Sequence, residues 1–351
     1  MVSLILNASE NNNTISTWET STPYAKKYDW LQLTSGEWLK GNLKEVYNDN
    51  IEFDSKEMDL LSIDWDKVSK LYTAKSMSVN IEELATFIGI VKIYDGKIFI
   101  GSDKKHVEFE KSQVVSIVNG SEEELDYWSS KVTININIKK GNTNQIDYGS
   151  IVSVKRRAPK TRFLLDYIGN FSEASSVSIA NNNRLTSSFD VYKTRYFYWQ
   201  PFYGEYYNDT FQNIKNRVTG GVGLGYTFFH NSKDELSVTA GPGIKYTEYI
   251  SAAQGEENMV SSASLIFSTK YENQITSKNK VKFSYRFEIL DEKSGRYTHH
   301  MMTTLENELT KKFDIDISVV WDRVEKPTQE AGGEIPKKND IQLMFGLGFE
   351  Y

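Results

Sequence analysis

The sequence predicts an all-β chain: small SH3/Sm-like β-domains followed by a transmembrane antiparallel up-and-down β-barrel of about twelve strands. Three observations predict it. The chain ends Ile341-Gln342-Leu343-Met344-Phe345-Gly346-Leu347-Gly348-Phe349-Glu350-Tyr351, with large apolar residues at every odd position and polar, small or flexible ones between. Successive strand side chains point to opposite faces, so this segment carries one continuous apolar stripe that stops on an aromatic. Segments of roughly ten residues with the same alternation recur from Trp128 onward. The connections between them alternate short and long, as turns on one side of a membrane and loops on the other would. A closed barrel suits such strands because it leaves no backbone edge unsatisfied in hydrocarbon.

Composition agrees. Hydrophobic residues make up only 39% of the 351, and no run approaches the roughly 20 apolar residues of a membrane helix. A spanning strand needs only alternate apolar residues, so low overall hydrophobicity is expected of it. Aromatics reach 13%, with 21 Tyr and 18 Phe, which suits strand faces and interfacial girdles. A net charge of -6 argues against a nucleic-acid partner. Cysteine is absent, which excludes disulfides, thiolate nucleophiles and Cys-ligated metals.

Residues 1–23 read as a disordered leader or the remnant of an export signal: a few apolar residues precede a small-residue site, without a basic start. Residues 24–120 read as two small repeated β-units on the periplasmic side. Gly41-Asn42-Leu43-Lys44, Ile51-Glu52-Phe53 and Val68-Ser69-Lys70-Leu71 form one copy, over about 24–75. Gly89-Ile90-Val91-Lys92, Ile98-Phe99-Ile100 and Val114-Val115-Ser116-Ile117 form the second, over about 84–119. A polar, acidic joint, Asn119 to Glu124, leads into the barrel, residues 121–351.

Within the barrel, Val132, Ile134 and Ile136 alternate with Thr133, Asn135 and Asn137. Val281, Phe283, Tyr285 and Phe287 alternate with Lys282, Ser284, Arg286 and Glu288, and Phe313, Ile315, Ile317 and Val319 with Asp314, Asp316 and Ser318. Longer connections are expected at Ala174 to Asn182, Asn208 to Asn213, Ser251 to Asn258, Asp291 to Arg296 and Glu325 to Lys338, with Gly141-Asn142-Thr143 a short exception on that side. Placing the apolar stripe outward points a set of charges inward: Asp147, Lys155, Arg162, Asp166, Arg184, Asp190, Arg217, Arg286, Glu288, Glu306, Glu308, Asp314 and Asp316. Buried in a dry sandwich core such charges would cost several kcal/mol each. In a barrel lumen they line a polar pore or form a plugging salt-bridge network. About twelve strands fall between small side-chain-filled barrels and open porins, and the narrow or plugged state is the expectation.

Asp209 to Ile214, followed by Arg217-Val218-Thr219-Gly220-Gly221-Val222-Gly223-Leu224-Gly225-Tyr226, resembles the salt-induced outer-membrane proteins of Gram-negative bacteria, the YdiY-like domain of unknown function. Arg195-Tyr196-Phe197-Tyr198 and Gly241 to Tyr246 add to the resemblance, which covers about residues 128–351. It implies a barrel in the outer membrane and carries no catalytic residues.

Other constellations have plainer explanations. Gly221, Gly223 and Gly225 lie within a strand pattern, whereas a dinucleotide fingerprint needs a turn into a helix; they read as inward glycines that admit bulky neighbours. His299-His300 is expected at an external rim or loop surface; with Ser294, Ser284 and Asn307 nearby in sequence it is the one hint of a hydrolase. Trp199, Tyr203, Tyr206, Tyr207 and Phe211 read as an aromatic girdle at the outer rim. No catalytic, cofactor or metal residues are assigned, and the chain is read as a non-enzyme. The expected role is a narrow passive channel or a structural, stress-related envelope protein. The alternatives are a barrel-embedded lipid or glycan hydrolase and a periplasmic binding module anchored by the barrel. Expected partners are outer-membrane lipid and, through residues 24–120, periplasmic envelope components.

Overall fold

The computed structural model describes residues 27–47, 49–102, 105–120, 124–139, 145–174 and 177–350. The leader 1–23, the Gly141-Asn142-Thr143 link and Ser121 to Glu123 of the joint lie outside them. Among the described residues the chain forms a nine-stranded sheet followed by a closed barrel of twelve antiparallel strands.

The sheet comprises β1 (Asp29–Leu33), β2 (Trp38–Tyr47), β3 (Asn50–Ser55), β4 (Asp59–Asp64), β5 (Val68–Ile81), β6 (Thr86–Tyr94), β7 (Lys97–Ser102), β8 (Lys105–Glu110) and β9 (Val114–Asn119). One strand order occurs twice: β5-β1-β2-β3-β4, then β9-β5-β6-β7-β8. In each copy a single 3-10 turn, Trp65–Lys67 or Lys111–Gln113, precedes the last strand of the set. The two sets share β5 and one apolar core, in which Leu31, Phe53, Ile93, Ile98 and Ile117 are fully buried. At its elbow β5 leaves the ladder between Tyr72 and Ser76. Side chains supply the missing partners there. The buried Asp29 carboxylate accepts from Leu43 N at 2.6 Å and Ala74 N at 2.6 Å. Thr73 Oγ1 accepts from Val91 N at 2.9 Å. An orphaned buried amide would cost about 1–3 kcal/mol, so these two side chains hold the bend in register.

The barrel strands are β10 (Trp128–Lys139), β11 (Gln145–Ala158), β12 (Thr161–Ala174), β13 (Val177–Tyr192), β14 (Phe197–Asp209), β15 (Ile214–His230), β16 (Asp234–Tyr249), β17 (Met259–Gln274), β18 (Asn279–Ile289), β19 (Tyr297–Thr310), β20 (Phe313–Val324) and β21 (Asn339–Glu350). Closure comes from β21 against β10, where Val132 faces Phe349 and Ile134 faces Leu347. The apolar stripe points out: Ile136, Ile244, Ile341 and Phe345 are all more than 60% exposed. Open to water, a belt of this size would be a severe liability; against hydrocarbon it is satisfied.

Interior glycines make the seam possible. A Cβ at Gly346 would strike the Asn135 side chain, and one at Gly348 would lie 2.8 Å from Lys131 Cε and 2.9 Å from Asp316 Oδ2. The last strand is thus stripped to backbone where side chains of β10 reach across it to β20. On the far wall, Gly225 lies under the Tyr198 ring, which a Cβ there would displace. Bulky neighbours fill the space of these inward glycines.

At one end of the barrel the strands join through residues 159–160, 193–196, 231–233, 275–278 and 311–312. At the other, 250–258, 290–296 and 325–338 are longer. The expected loop Ala174 to Asn182 is a correction. β12 and β13 stay paired to Glu173↔Ser178 and Ala174↔Val177, so only 175–176 link them. The Asn-rich stretch that looks like a loop, Asn181-Asn182-Asn183, is ladder: Asn182 is buried inside, and Asn183 on the other face is bonded to Tyr167 and Asn208.

The small sheet sits on the short-turn end. Ser116 Oγ donates to Pro159 O at 2.6 Å, and Tyr196 Oη donates to Asp49 Oδ2 at 2.7 Å. Arg195 bonds Asp49 Oδ1 at 3.0 Å and Ser112 O at 2.7 Å. Ser232 N donates to Asp64 Oδ1 at 2.8 Å. Among the described residues three ion pairs cross the junction, Glu45–Arg157, Asp49–Arg195 and Asp59–Lys311, each with the acid on the sheet and the base on the barrel. Behind them Tyr47, Val115 and Val118 pack with the barrel's Tyr192 and Tyr198.

Candidate functional site

The lumen collects its charges in three groups. The first lies beneath the small sheet. Arg162 of β12 pairs with Asp190 of β13 at 2.9 Å and reaches Glu235 of β16 at 3.6 Å. Gln200 donates to the second Asp190 oxygen at 2.9 Å, and the Arg162 guanidinium lies over the Tyr192 and Tyr198 rings. Asp190 is 1% exposed, so this pair tolerates burial only because both partners are bonded.

The second group bridges the seam. Lys131 Nζ lies 2.7 Å from Glu306, 3.0 Å from Asp314 and 3.1 Å from Asp316. Lys282 shares Glu306 at 2.7 Å, and Thr133 Oγ1 donates to Asp316 at 2.6 Å. Above this group a small apolar cluster of Ile168, Val320 and Met344, flanked by Ile151 and Met302, fills the interior.

The third group lies toward the long-loop end. Glu205 of β14 accepts from Arg184 of β13 at 2.7 Å and from Arg286 of β18. Arg184 also pairs with Asp322 of β20 at 2.7 Å, and Asp322 accepts His300 of β19 at 2.9 Å. Arg286 continues to Glu288 at 3.1 Å, and Glu288 holds Lys245 of β16. Tyr207 stacks under Arg184, 4.0 Å from the ring centre, and Arg217 bonds Thr247 Oγ1 at 3.3 Å. The cavity here is only about 20 Å³, room for little more than one water.

Among the inward charges expected from the sequence, the structure buries Arg162, Arg184, Asp190, Arg217, Arg286, Glu288, Glu306, Asp314 and Asp316. Asp147 and Asp166 are half-buried, and Glu308 is exposed near the short-turn end of β19. Of the residues that tie these charges together, Lys131, Glu205, Lys245 and Asp322 are not in the set of inward charges expected from the sequence, and His300 is expected there at a rim or loop surface. Glu205 sits in the aromatic β14, where the alternation is masked by Tyr203, Tyr206 and Tyr207. Parity counted back from Asp209 would have found it.

Two expectations are corrected. The histidine pair is not in a loop: both lie near the long-loop end of β19 and face opposite ways. His300 is inside on Asp322; His299 is outside among Tyr285, Phe287 and Trp321, with Tyr285 Oη 2.7 Å from its Nδ1. Among the described residues no serine or threonine hydroxyl is bonded to His300, and Asn307 sits at the other end, bonded to Asn279. The aromatic cluster is likewise divided. Tyr203 and Tyr207 are buried inside, while Trp199 lies near the short-turn end, under Lys193. The strand β14 runs from one end to the other, so residues close in sequence are spread along the barrel.

Residues 132–351 match the family described as protein of unknown function, DUF481. The chain belongs to DUF481. A search of curated proteins finds no match. Among solved structures, the NanC porin is 8% identical, with a TM-score of 0.39, over 63% of this chain and 98% of that one. A FadL homologue of Pseudomonas aeruginosa is 9% identical, with a TM-score of 0.33, over 63% of this chain and 76% of that one. The outer-membrane channel DcaP of Acinetobacter baumannii is 10% identical, with a TM-score of 0.28, over 92% and 93%. The family assignment carries no activity, so the lumen of this DUF481 barrel has to be read from its own residues.

Proposed function

We propose that this DUF481 chain is an outer-membrane barrel whose lumen is sealed, and which holds its amino-terminal sheet against the periplasmic mouth as a structural envelope protein. The observation that carries this is the filling of the interior from end to end: ion pairs beneath the sheet, the seam group, the Ile168–Val320–Met344 cluster, and the network around Glu205. Solute flow would have to break several buried ion pairs at once, each costing about 3–5 kcal/mol when one partner is removed. The cap of acids on bases closes the short-turn mouth as well. With that mouth periplasmic, β4 and β8, the outer strands of the sheet order, face the envelope space, and components there would meet the protein along them.

Planar-bilayer recording of the folded full-length chain tests the proposal. We expect no steady current above bare lipid. A reproducible ohmic conductance would replace the sealed barrel with a channel.

A further inference from the structure

We infer that the third lumen group is a binding site for one small monovalent anion, either free or as the carboxylate end of a larger solute. Four cations, Arg184, Arg217, Lys245 and Arg286, converge there, each at most 9% exposed. Three carboxylates, Glu205, Asp322 and Glu288, answer them. Arg184, Arg286 and Lys245 each hold a carboxylate. Arg217 does not: among the described residues its partners are the Thr247 hydroxyl at 3.3 Å and the Tyr207 ring at 5.8 Å. A buried guanidinium without a counter-charge is costly, and a negative group beside it removes that cost. Arg217 and Lys245 both line the cavity of about 20 Å³, and Gln212 from the turn between β14 and β15 is also in its wall. That volume admits a halide or a carboxylate group and excludes bulkier polyanions. The site does not depend on whether the barrel conducts.

The test is crystallographic, with bromide as the probe. Crystals of the full-length protein grown in sodium bromide should show an anomalous peak within about 3.5 Å of the Arg217 and Lys245 nitrogens, a charge-assisted distance. Arg217→Gln should lose the peak while keeping the barrel. A peak that survives Arg217→Gln, or bromide absent from the cavity of the wild type, overturns the inference. Solution melting provides a second readout that needs no variant. At equal ionic strength, bromide or acetate should raise the wild-type melting temperature saturably over a bulky sulfonate such as morpholinoethanesulfonate, which has no carboxylate and is too large to enter. Protection by bromide alone assigns a halide site; protection by acetate assigns carboxylates; protection by neither overturns the inference.

Discussion

Glu205 is the residue on which the upper lumen turns. It is 4% exposed and receives two guanidinium groups, from Arg184 and Arg286. Glu205→Gln should therefore cost about 3 kcal/mol or more, because two buried cations lose their shared counter-charge. Thermal or urea unfolding in detergent would measure it. Asp29 plays a comparable part in the sheet through hydrogen bonds to backbone. Asp29→Ala leaves the Leu43 and Ala74 amides without acceptors, so a loss of about 3 kcal/mol is expected, read as faster hydrogen exchange along β1, β2 and β5. Neither role was legible in the sequence. An inward acid can be recognised by parity in a regular strand such as β20, where Asp314 and Asp316 alternate with Ile315 and Ile317. Which base it meets depends on stagger between strands far apart in the chain, and local pattern does not encode that.

At the scale of elements, the terminal strand was the most legible part of the molecule and also the most constrained. Its odd positions face out, and its even glycines, Gly346 and Gly348, clear the way for Thr133, Asn135 and Lys131. Gly348→Val should block the approach of Lys131 to Asp316 and prevent closure. The expected sign is loss of the heat-dependent mobility shift on SDS gels that a closed barrel shows, while Leu343→Val, outside, keeps it. The strands that misled were those with polar or aromatic residues on both faces. β13 looked like a loop because of its asparagines, and β14 looked like a rim because its rings cluster in sequence. In both, pairing with neighbours overrides composition.

For the whole molecule, the junction between sheet and barrel is polar and charge-matched, so it should respond to pH and to charge reversal. Burial alone would raise the Asp64 carboxyl, but the Lys67 ammonium and the Ser232 amide hold it down at about 2. A carboxylate with a depressed folded value stabilises above its ordinary value and loses that contribution as pH falls. The melting difference between wild type and Asp64→Asn should shrink as pH drops from about 4 toward about 2. Arg157→Glu sets an acid against Glu45 and should loosen the cap, seen as faster hydrogen exchange in the turns 193–196 and 231–233. The sequence announced a small β region before the barrel and a change of texture after Asn119; that the sheet's acids meet the barrel's bases is a tertiary fact.

Because the chain has no native cysteine, single cysteines can be placed along 341–349 and spin-labelled one at a time in liposomes. Labels at 341, 343, 345, 347 and 349 should collide freely with oxygen dissolved in lipid, and labels at 342 and 344 should be shielded in a packed interior, with Gly346 and Gly348 left unsubstituted because neither admits a side chain. Uniform accessibility, or even positions open to a water-soluble relaxant along the whole strand, would contradict a closed barrel with a filled lumen.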